Sequence, residues 1–109
     1  MTTENLPVLF RFDRDRFGDG EVTAVFPTLP GTDDVNTMTC YAHIGQHGAC
    51  VSTWLWDTRP ATPAEYAPLL AELRGIYETG PDACRLVIRQ RISPNMRAAR
   101  RDALRRATA

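Results

Sequence analysis

Two cysteines and both histidines of this 109-residue chain fall in one stretch, CYAHIGQHGAC, at residues 40–50. Two thiolates and two imidazoles make a tetrahedral zinc set by type. The spacing Cys40-x2-His43-x3-His47-x2-Cys50 argues against closure on one ion, because zinc fingers take two ligands from each of two converging elements. Alternation also sends Cys40 and His43 to opposite faces if the stretch begins as a strand. A helix would bring His43 and His47 onto one face, but Gly45 and Gly48 each disfavour it by about 1 kcal/mol. No metal is favoured and no cofactor is predicted. The set that survives for zinc is His43, His47 and Cys50.

Without a metal, the same residues read as a ligand loop. Successive amides of a glycine-bent turn form an anion-binding concavity, and Tyr41, His43, Gln46 and His47 supply neutral donors and acceptors around it. Trp54 and Trp56 follow closely enough to wall a pocket, with Trp54 the nearer candidate. Cys40 reads as a small core residue facing inward. His47 could serve as a general base. The chain shows no nucleophile elbow, phosphate loop, His-Glu-x-x-His or deaminase pattern, so binding is favoured over turnover.

A second chemistry lies downstream. The formal charge is zero, but residues 1–84 hold twelve acids and five arginines, while residues 85–109 hold eight arginines and one acid. Every cation is an arginine, since lysine is absent. Arg89, Arg91, Arg97, Arg100 and Arg101 form the core of a basic end that could hold phosphates. No aromatic residue is interleaved with them in sequence, which counts against nucleic acid.

The elements that must position these residues are those of one small domain. An apolar content of 43% suffices for a single core. PVLFRF and EVTAVFP alternate as strands and form a hairpin around Asp19-Gly20, with Pro27 and Pro30 ending the second. TMTCYAHI reads as a third strand, GQHGAC as a loop, and VSTWLWDTRPA as a short helical turn. TPAEYAPLLAELRGIYETG carries Thr62 as N-cap, Pro63 at the first helical position, Glu65 completing a capping box, and Gly80 as the stop. Pro68 should bend the helix's start. CRLVIRQRI alternates as a strand with an arginine-lined outer face, and Ser93-Pro94 opens a last helix with a thin apolar side. The expected fold is α+β: a small two-layer sandwich in which a mostly antiparallel sheet, in β-β-β-α-β order, packs on the helix of residues 62–78. Residues 1–94 form that domain, and residues 95–109 a basic C-terminal helix or tail.

AVFP, YAHIGQHGA, TRPATPAEY, LLAEL and LVIRQRI, in this order and spacing, resemble a group of small uncharacterised phage, prophage and bacterial proteins. The similarity spans residues 8–97 and centres on His43 to His47. It implies no particular activity, but its link with mobile elements makes host interaction or counter-defence the expected setting.

The N-terminal residues have neither a basic start nor a long apolar run, and no segment approaches roughly 20 apolar residues, so a cytoplasmic protein without membrane contact is expected. Three cysteines in a reducing compartment read as free thiols. The leading functional reading is a non-enzymatic binding protein that meets a small molecule or protein through residues 41–47. The alternatives are nucleic-acid binding through the arginine-rich end and a metal-dependent hydrolase using His43 and His47. Homo-oligomerisation fits any of these.

Overall fold

The computed structural model describes residues 4–13, 20–43 and 46–108. The fold is α+β. Strands β1 (Asn5–Asp13), β2 (Glu21–Pro30), β3 (Thr37–His43) and β4 (Gln46–Val51) form an antiparallel run in the order β4-β3-β2-β1. A 3-10 turn (Ser52–Asp57) leads to the two-residue strand β5 (Arg59–Pro60). Helix α1 (Pro63–Tyr77), strand β6 (Arg85–Ile88) and helix α2 (Pro94–Thr108) follow. Strand β6 runs parallel to β1, and β5 antiparallel to it. Both use one edge of β1, because the carbonyls of Glu4, Val8 and Phe10 accept from Arg85, Arg89 and Ala61 and even-numbered residues of a strand share an edge.

Three expectations are corrected. The segment GQHGAC is not a loop but strand β4, paired with β3 from Thr37↔Val51 to His43↔Gln46. Thus the 41–47 motif is a β-hairpin, whose residues 44–45 lie outside the described residues, as does the expected turn at Asp19. Strand β2 does not stop at Pro27 but continues, with a register shift, to Pro30. Strand β6 ends at Ile88 rather than Ile92, and Ile92 packs on the opposite face of the sheet from Leu86.

Helix α1 starts as its sequence dictates. The Thr62 hydroxyl accepts from the Glu65 amide at 3.3 Å, and the Glu65 carboxylate accepts from the Thr62 amide at 2.8 Å. The helix continues through Pro68. It packs Leu69 and Leu73 against Leu6, Val8, Phe10, Ala24, Phe26 and Tyr41, the main core. Phe10 and Tyr66 stack at 4.5 Å. Arg59 grips Glu65 with two bonds of 2.7 and 2.8 Å while lying over the Phe12 ring, which ties β5 to α1. A second cluster, Leu9, Val25 and Met38, lies on the other face, joined by Trp54, Leu55 and Ile92. Both faces of the sheet are therefore covered, which strand alternation alone does not reveal.

The β1–β2 ladder ends for a covalent reason. Its register runs from Asp13↔Glu21 to Leu9↔Val25. The next pair to exchange two N–H···O bonds would be Pro7 opposite Pro27, and neither has an N–H. The Pro27 carbonyl instead accepts from Arg100 Nη1 at 3.1 Å, and the same guanidinium donates through Nε to the Val35 carbonyl at 3.0 Å. Arg100, only 5% exposed, thereby docks α2 onto β2. Gly31 permits a second close approach, since a Cβ there would meet the Met38 carbonyl oxygen at 2.5 Å and the Ala49 Cβ at 2.7 Å.

Candidate functional site

Tyr41 and His47 are cross-strand partners on β3 and β4, with ring centroids 4.8 Å apart. Tyr41 is buried at 1% exposure, and its hydroxyl donates to the Glu72 carboxylate on α1. The exposed His47 is hydrogen-bonded through Nε2 to the Tyr77 hydroxyl at 2.6 Å, and the Tyr77 ring packs on Phe26 at 5.0 Å. Burial pushes the Tyr77 phenol above its ordinary pKa, with Cys84 and Tyr41 adding to the rise. These polar groups clamp helix to sheet. His43 and Gln46 pair through their backbones at the hairpin's end, and their side chains lie outside the described residues.

The fold does not bring Trp54 to this group. Trp54 packs beside Leu9, Val25 and Met38, across the sheet from Tyr41 and His47. Alternation along β4 likewise puts His47 and Cys50 on opposite faces, which counts further against the disfavoured zinc set of His43, His47 and Cys50. No group of three or more His, Cys, Asp or Glu capable of holding a metal occurs among the described residues.

Cys40, half-buried rather than fully turned inward, meets Cys50 on the second face. A hydrogen bond from the Cys50 thiol lowers the Cys40 thiol to about 7, against the effect of burial and with help from the Gly48 backbone. The Cys50 thiol rises in turn, held as the donor and further raised by burial.

The larger assembly of unspent polar groups is on that second face. A groove of about 570 Å³ is lined by Arg11, Arg91, Arg97, Arg100, Arg101 and Trp56, among others, and by no acid among the described residues. It adjoins, through Gln90 and Arg91, a second groove of about 530 Å³ that adds Arg89. Two of these arginines are structural. Arg11 donates to the Thr58 hydroxyl at 2.8 Å and to the carbonyls of Thr58 and Leu55 at 2.6 and 3.2 Å, which holds the 3-10 turn and its tryptophans. Arg100 is the docking residue of α2. Burial depresses both guanidinium pKa values, and at Arg100 the charges of Arg97 and Arg101 add to the depression. By contrast, the side chains of Arg89, Arg91, Arg97 and Arg101 make no hydrogen bond or ion pair with any described residue. Trp56, 83% exposed, stands at the groove's wall.

All five arginines expected at the basic end thus lie on these two adjoining grooves, and the fold adds Arg11 and Trp56, which the sequence reading did not place there. No aromatic residue lies among the arginines in sequence, but one does in space. No helix is long and apolar enough to cross a membrane among the described residues. Comparison with protein-family models, curated proteins and solved structures finds no match, so the resemblance to small phage and prophage proteins stands on its motifs alone.

Proposed function

We propose that the protein binds single-stranded nucleic acid in the arginine groove of its second face. The observation that carries this reading is the convergence of an exposed tryptophan and four arginines, unpartnered among the described residues, on adjoining grooves lined by no acid among those residues. Arginines without a partner among the described residues can pair with phosphates. An exposed indole beside them offers a stacking surface for any base. A recessed channel suits a flexible strand better than a duplex, whose bases are reached by elements that protrude into a groove. The setting implied by the motif resemblance, a mobile element or its host, is one in which single strands are a natural ligand. The reading through Tyr41, His43, Gln46 and His47 has less support, because the Tyr41 hydroxyl and His47 Nε2 are already bonded to α1.

Titrating the full chain with a fluorescent oligothymidylate, followed by anisotropy across a salt series, tests the proposal. Four phosphate contacts give a slope of log K against log salt of about −3. The Trp56→Ala variant is expected to bind roughly tenfold or more weakly, and Arg97→Ala with Arg101→Ala to flatten the slope by about 1.4. Binding that ignores salt, or that is unchanged in both variants, would rule the groove out.

A further inference from the structure

The two edges of the sheet are treated differently. At the β5–β6 edge, β5 is two residues long, with Arg59 and Pro60, and the outward Leu86 amide donates to the Glu78 carboxylate at 2.8 Å. Charge, proline, shortness and a side-chain cap are the usual means of closing an edge to other strands. Strand β4 has none of them. Its six residues, QHGACV, include no proline and no lysine, arginine, aspartate or glutamate. His47, Gly48, Ala49 and Val51 are all exposed, Val51 at 51%.

The unpaired groups on β4 follow from its pairing with β3. The Ser52 amide donates inward to the Asn36 carbonyl, so even-numbered residues face β3. The N–H and C=O groups of His47, Ala49 and Val51 therefore face outward, and no described segment pairs with them. The three are evenly spaced about Ala49. An antiparallel copy of the same strand, centred on Ala49, sets His47 against Val51 of the copy, Ala49 against Ala49, and Val51 against His47. Each outward N–H then finds an outward carbonyl, giving six bonds about a twofold axis.

We propose that β4 pairs antiparallel with β4 of a second copy, joining two sheets into one across Ala49. The bare strand is self-complementary in hydrogen bonding, and no like charges face each other across it. This inference is independent of the groove reading, since β4 contributes no residue to either groove.

Sedimentation equilibrium of the full chain, with amide hydrogen exchange read residue by residue, tests it. The expected result is a dimer in which the His47, Ala49 and Val51 amides become protected as concentration rises while Gly48 and Cys50 do not change. Val51 already has φ −82°, close to the proline value, so Val51→Pro removes an outward donor without bending the strand. It costs two of the six bonds and weakens the dimer roughly tenfold or more. Val51→Lys, which places a charge at the edge without changing the backbone, is expected to act in the same direction and covers the case in which the proline variant does not fold. A chain that stays monomeric up to its solubility limit, or a dimer unaffected by Val51→Lys with no concentration-dependent protection at Ala49, overturns the proposal.

Discussion

The two faces of the sheet carry similar kinds of polar side chain but use them in opposite ways. On the α1 face, Tyr41 donates to Glu72, His47 bonds Tyr77 and Arg59 grips Glu65. On the α2 face, Arg11 and Arg100 are bonded to backbone carbonyls and hydroxyl, while Arg89, Arg91, Arg97 and Arg101 have no partner among the described residues. The first face holds Tyr41 and His47, which look chemical in the sequence, and it uses them to lock helix to sheet. The second holds residues that look like an ordinary charged tail, and it leaves them available. Unspent hydrogen-bonding capacity, rather than conspicuous residue type, separates the face left available from the one that supports the fold.

That contrast can be broken by mutation. The largest effect is expected at Arg100, the groove arginine that docks α2: Arg100→Ala leaves the buried Pro27 carbonyl and the part-buried Val35 carbonyl without this donor and should lower stability by about 3 kcal/mol in urea denaturation. Arg100→Lys should recover only part, because an ammonium lacks the fork that reaches both carbonyls. On the opposite face, Tyr41→Phe removes the bond to Glu72 and should cost about 1 kcal/mol by the same measurement. Arg97→Ala with Arg101→Ala should change stability by no more than about 0.5 kcal/mol while weakening oligonucleotide binding. A large loss of stability there would show those arginines to be structural, and the contrast between faces would fail.

The smallest effect is a matter of rate. With its thiol held at about 7, Cys40 should be alkylated by iodoacetamide with a midpoint near that pH, ahead of Cys84, whose pKa burial pushes up. Cys50→Ala removes the hydrogen bond responsible and should move the midpoint upward. The sign for stability follows: a depressed thiol pKa contributes fully above the ordinary value of about 9 and is lost as pH falls through about 7.

Much of the frame was legible in local pattern. The capping box at Thr62 and Glu65 and the stripe through Leu69 and Leu73 act over a few residues, and α1 follows them closely. The α+β class and largely antiparallel sheet followed from alternation in β1, β2 and β3. Strand β4 was missed because Gly45 and Gly48 read as a bend. Gly48 instead sits opposite Cys40 in an edge strand, where β3 supplies the pairing that glycine's own propensity does not. The far end of β6 was overextended because Arg89, Arg91 and Ile92 keep up the alternation beyond the point where β5 takes over the same edge of β1. The groove was illegible for a different reason. Arg11 reaches the 3-10 turn across forty-four positions and Arg100 reaches Pro27 across seventy-three, so no window of sequence contains the site.

The proline at position 7 makes a statement about variation among related chains. Any other residue there would bring back an N–H aimed at the Pro27 carbonyl, and that carbonyl would no longer need the Arg100 guanidinium. Arginine at 100 and proline at 7 are thus expected to come and go together. In a relative that regains a donor at position 7, residue 100 keeps only the Val35 carbonyl to hold, and the docking of α2 that places Arg97 and Arg101 on the groove is weaker.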